Sequence, residues 1–132
     1  MSQDFNPKTD AQQDSLLWSV QWLASYYNKP ASAAVLYAGL PRERKLTPQL
    51  ALRMLDQIGM GVGWVERDLN QLFSYLFPVA ITRKDGTHCI VTERIGKGAN
   101  TSYRLVLPES GGGEVTLPAS ALQEVYSGFS LL

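Results

Sequence analysis

Cysteine and histidine are nearly missing from this chain of 132 residues, which has one of each, Cys89 and His88. A single cysteine cannot form an intrachain disulfide, which fits a reducing compartment. One cysteine and one histidine cannot supply the clustered ligands of a structural zinc site, so neither a metal nor another cofactor is expected. Net charge is missing as well: 12 Lys and Arg face 12 Asp and Glu. No overall field would draw such a chain to nucleic acid or to an anionic membrane. Long apolar runs are also absent. Ala33 to Leu40 is short and interrupted by Gly39, far below the ~20 residues of a membrane span. Met1 to Asp10 has neither the basic start nor the apolar stretch of a secretory signal. One cytosolic domain over residues 1–132, with one core and no segment in a bilayer, is the expectation.

What is present is ordered along the chain. After Asp14, the residues Leu16, Leu17, Val20, Leu23, Ala24 and Tyr27 recur at helical spacing, with Trp18, Trp22 and Tyr26 as a second apolar row. This predicts a largely buried helix that starts at Asp10 or Asp14 and ends at Lys29-Pro30. A short helix over Ala31 to Ala38 stops at Gly39, before a solvated basic loop, Arg42 to Lys45. Thr47-Pro48 reads as an N-cap with proline in the first turn, opening a third helix that stops at Gly59. Beyond it the period changes to that of strands, at Gly61 to Glu66, Val79 to Thr82, His88 to Ile95 and Tyr103 to Leu107. Leu69 to Leu76 reads as a helical turn, Asp85-Gly86 and Ser110 to Gly113 as turns, and Pro118 to Val125 as a short helix before a last strand. Helices first and sheet second make the fold α+β, with the N-terminal helices packed on a mostly antiparallel sheet.

Few residues could carry chemistry. Strand neighbours point to opposite faces, so His88 and Cys89 cannot form an adjacent pair, and Cys89 reads as a small buried apolar group. The Ser110-Gly111-Gly112-Gly113 run lacks the ending and the helix of a phosphate loop and reads as a hairpin turn. Ser15 stands at a helix start, where free N–H groups favour an oxyanion, although a serine there is also an ordinary cap.

The run Asp14 to Asn28 resembles the first helix of the bacteriocin-processing peptidases, cysteine peptidase family 39, papain-like domains at the N-termini of ABC exporters. Their pattern of Asp-Cys-Gly and an apolar helix ending in paired tyrosines is kept at Asp14, Ala24, Tyr26 and Tyr27. Leu46 to Gly59 is similar to the family's third helix, and Pro78 to Ile81 precedes Asp85-Gly86-Thr87-His88 as in the family. The ending, with Tyr126-Ser127-Gly128, looks like that of the domain in haemolysin and giant-adhesin exporters. The resemblance implies a papain-like fold, with Ser15 at the nucleophilic cysteine, His88 at the base, Leu107 at the orienting aspartate and Thr9 at the oxyanion glutamine.

Three of those four positions have changed. A serine hydroxyl ionises far less readily than a thiol and needs an oriented base. The resemblance therefore implies a degenerate peptidase domain that is not an enzyme, and catalytic positions that are vestigial. Its implied role is to hold an unfolded secreted polypeptide, of the RTX or adhesin kind, for the rest of its own exporter at the cytoplasmic side of the bacterial inner membrane. Trp18, Tyr26 and Trp64 are the expected contacts. Two alternatives stay open: a serine-dependent peptidase using Ser15 and His88, and a purely structural or regulatory exporter domain.

Overall fold

The computed structural model describes residues 14–42 and 44–132. Helix α1 spans Ser15–Tyr26, and its start is set by Asp14, whose Oδ1 accepts the Leu17 N–H at 3.0 Å. The other carboxylate oxygen accepts the Leu46 N–H at 3.1 Å, so one side chain caps the helix and ties down the loop ahead of the third helix. Asp10, the other expected start, lies outside the described residues. Leu16, Val20, Leu23 and Ala24 are buried at the expected spacing. The C-terminal turn departs from the expectation of a largely buried helix, because Tyr26 and Tyr27 are exposed. The chain turns away there with Asn28 at a positive φ of 61°, a conformation that asparagine tolerates better than most residues.

Helix α2, Ala33–Leu36, is shorter than expected because Ser32 caps it and Tyr37 ends it. In α3, Pro48–Gln57, the Thr47 hydroxyl accepts the Leu50 N–H and proline stands in the first turn, as the sequence predicts. Gly59, at φ 85°, reverses the chain after α3. No described helix is long and apolar enough to cross a membrane.

The remaining elements form one sheet: β1 Trp64–Glu66, β2 Val79–Arg83, β3 His88–Ile95, β4 Ser102–Leu107, β5 Gly113–Pro118 and β6 Tyr126–Leu131, with α4, Ala119–Val125, before β6. Their order is β1-β6-β2-β3-β4-β5, and each pairing is antiparallel. The expected α+β, papain-like arrangement of helices on an antiparallel sheet is present. β1 is shorter than the expected Gly61 to Glu66. β5, after the glycine turn, has no buried residue and so shows no apolar alternation to read.

Alternation along β3 divides the interior. Ile90, with Ala80, Val106 and Leu131, faces α1 and α3. Cys89 and Val91, with Ile81, Tyr103 and Leu105, face the other way, under Leu69, Leu72 and the Leu122 of α4. The sheet is thus covered on both sides, and the first face positions the site.

Candidate functional site

Ser15 is the first residue of α1 and His88 the first of β3, and the two meet 73 positions apart in the chain. The His88 N–H donates to Ser15 Oγ at 2.8 Å. Both residues are buried, Ser15 with 6% and His88 with 7% of its surface exposed. The contact is made by the histidine's main chain rather than by its imidazole. That ring lies 5.7 Å from the ring of Trp64, tilted by 54°, and its Nε2 is buried without a hydrogen-bond partner. Burial first, then the charge of Arg83, pushes the imidazole down to about 4, with Asp85 opposing. The ring is therefore neutral at pH 7 and able in principle to accept a proton. Removing the hydroxyl should expose what it holds: Ser15→Ala leaves the His88 N–H buried without its acceptor. An expected loss of about 1–3 kcal/mol of stability can be read by urea unfolding.

Around Ser15 lies a cavity of about 200 Å³ lined also by Arg83, Asp85, Thr87 and Glu109. Arg83 donates to Glu109 through Nη1 and Nη2, at 2.7 and 3.0 Å, and the pair holds the Glu109 carboxyl below its usual range. Asp85, in the β2-β3 turn, accepts from the Thr87 hydroxyl and N–H, which lowers its carboxyl in turn. From the sequence none of these four takes a site role, and Asp85 is marked only as a turn residue ahead of His88. The signal was a carboxylate two residues beyond Leu107 and an arginine closing a strand.

Of the other expected positions, Trp64 alone among the described residues makes a ring contact with His88. Leu107 packs on the sheet face away from α1. Thr9 lies outside the described residues. Trp64 stands beside His88, its Nε1–H donating to the Pro48 carbonyl at 2.9 Å. The ring of Trp18 covers the β4-β5 turn, within 3.5 Å of the place a side chain at Gly112 would occupy. Tyr26 is stacked on Trp22 at 5.5 Å, about 16 Å along the helix from Ser15. Cys89 is fully buried on the far face, and burial pushes its thiol up to about 12, so it forms no thiolate near neutral pH.

A helix N-terminus set against the first residue of an antiparallel strand, under a helical layer, fits the papain-like arrangement of the fold. Solved structures agree. The N-terminal peptidase C39 like domain of a toxin secretion ATP-binding protein from Vibrio parahaemolyticus is 28% identical, with a TM-score of 0.79 over 90% of this chain and 94% of that one. A double glycine motif protease from an AMS/PCAT transporter, solved with its leader peptide, shares the fold at 15% identity and a TM-score of 0.72, over 100% of this chain and 87% of that one. The peptidase domain of Streptococcus ComA, a bi-functional ABC transporter, shares it at 13% identity and 0.66, over 86% and 85%. No protein-family model matches the chain, and no curated protein matches it.

These relatives correct the expectation that the chain is not an enzyme. They are described as peptidase or peptidase-like domains, which points to a protease class. The physical fault in that expectation was to weigh only residues at matched positions along the chain. Folding brings Glu109 and Arg83 to Ser15 from positions that no motif connects, beside Asp85 of the turn before His88.

Proposed function

We propose that this domain engages an extended segment of a secreted polypeptide on behalf of an ABC exporter, at the cytoplasmic side of the membrane. The observation that carries the reading is an open groove of about 470 Å³ between the C-terminal end of α1 and the ends of the sheet. Leu23, Tyr27, Met60, Val62, Tyr75 and Leu131 line it, and Lys29 is its charged group. Tyr75 is 80% exposed and Tyr27 is 45% exposed at its rim, and Tyr26 makes an edge contact with Tyr27 at 5.0 Å. Exposed aromatic rings beside an apolar floor suit a chain whose side chains are not yet buried in a core of its own. The exporter context is supported by the 28% identical relative, and the peptide ligand by the leader peptide held by the double glycine protease.

The finer reading is an unfolded cargo of the RTX or adhesin kind, held weakly enough to be released. Affinity near the micromolar range, ~8 kcal/mol, fits such a hold. Calorimetric titration with denatured and with folded cargo should show heat for the denatured form alone. Tyr75→Ser and Tyr27→Ser should each weaken binding about tenfold. Silence towards both forms would leave only a structural role for the surface.

A second reading, hydrolysis with Ser15 as nucleophile and His88 as base, is favoured by the hydroxyl at the start of α1 on the edge of its cavity. The imidazole would have to turn onto Oγ from its place against Trp64. Mass spectrometry of a double-glycine peptide incubated with the domain is the test. Products that vanish in Ser15→Ala support it, and an intact peptide with the wild-type domain removes it.

A further inference from the structure

Behind the Ser15-His88 contact stands a charged pair drawn from two other elements. Arg83 closes β2, and Glu109 sits in the single 3-10 turn, Pro108–Ser110, that follows β4. The two-point fork between them fixes the plane of the guanidinium. Its Nη2 also donates to the main-chain carbonyl of His88 at 3.1 Å. Both polar groups of the His88 main chain are therefore occupied, the carbonyl by Arg83 of β2 and the N–H by Ser15 of α1. An exposed ion pair contributes little. Here the Arg83 side chain is only 15% exposed and that of Glu109 32%, so the pair is largely withdrawn from solvent screening.

We propose that Arg83 and Glu109 are a positioning pair for this site: Glu109 sets the guanidinium, and the guanidinium sets the His88 main chain at the place where its N–H meets Ser15 Oγ. The inference rests on reading the Ser15-His88 corner as part of the working surface of the domain. It also relocates the carboxylate that the family pattern puts at Leu107. In this chain a carboxylate two residues further on acts through an arginine on the main chain of the histidine.

The experiment is NMR on the 132-residue chain without ligand, following the His88 amide and the ring signals of the sole histidine. Glu109→Gln keeps the size of the side chain and removes its charge. The His88 amide should then exchange with solvent about tenfold faster, while the amides of Ile90 and Val20 keep their wild-type rates. The charged groups around the imidazole are Arg83 on β2, Asp85 in the turn, and Asp14 and Lys45 across a small cavity of about 110 Å³ that His88 also lines, with Trp64 of β1 against the ring. In Glu109→Gln no carboxylate offsets the Arg83 charge that already lowers the imidazole, and the guanidinium is still held at the His88 carbonyl, so the titration midpoint of the ring should fall further. Glu109→Asp, which restores the charge on a shorter arm, should recover part of both effects. A purely structural pair would leave the midpoint unmoved. Wild-type exchange and a wild-type midpoint in Glu109→Gln would overturn the proposal. Failure of the peptide titration would remove the binding reading and leave these ligand-free readouts intact, so the two can fail separately.

Discussion

Ile90→Ala is expected to lower the free energy of unfolding by about 2–5 kcal/mol. Ile90 is fully buried and lies two residues from His88 on the same face of β3. Its register partners are Ala80 on β2 and Val106 on β4, and above it pack Leu16, Val20 and Leu23 of α1. Ala80 is too small to fill the space vacated, and the α1 side chains are held by their own helix, so most of the cavity should persist. The same packing sets the height of α1 over β3, and with it the Ser15-His88 hydrogen bond. Urea unfolding of the variant is the measurement, with Ile95→Ala, at the half-buried end of β3, as comparison. A loss no greater at Ile90 than at Ile95 would mean that this face of the sheet is not the central core.

Acidification from pH 7 to 4 should cost up to about 3 kcal/mol of stability through His88 alone. In the unfolded chain its imidazole returns to its ordinary value of 6.5, whereas in the fold it is held down to about 4. Between those values the unfolded state binds the extra proton. Stability therefore is fully present above about 6.5, falls as the pH drops, and this contribution levels off below about 4. Glu109 and Asp85, both lowered in the fold, add losses of the same sign at more acid pH. The histidine's share is isolated by comparing the wild type with His88→Gln between pH 7 and 5, where those carboxyls stay ionised. The variant should lose the smaller amount. Equal slopes in the two proteins, or a ring midpoint near 6.5, would place the imidazole in water and contradict its burial beneath Trp64.

The correction on activity and the positioning pair have a common physical origin. Reading Ser15, His88 and Leu107 against a family pattern tests chemistry one position at a time, and at Leu107 it found no carboxylate. Glu109 reaches the site because the chain turns after Pro108, and it does so in partnership with an arginine 26 residues earlier. Neither residue carries a signal of function by itself, since an arginine at a strand end and a glutamate beside a turn are ordinary surface choices.

Local and periodic features were settled along the chain. Asp14 and Thr47-Pro48 started their helices because capping involves groups three residues apart. The alternation from His88 to Val91 set which residues face which side, because strand geometry has a period of two. The strand β5, all of whose residues keep some exposure, has no such pattern, and only pairing with β4 defined it. The tertiary structure alone decided that Ser15 meets the N–H of His88 instead of its ring, that Trp64 stands against that ring, and that a second apolar layer covers the far face of the sheet. Those outcomes depend on distances between segments tens of residues apart, which are set by how side-chain volumes fill the space between layers. No local preference along the chain encodes them.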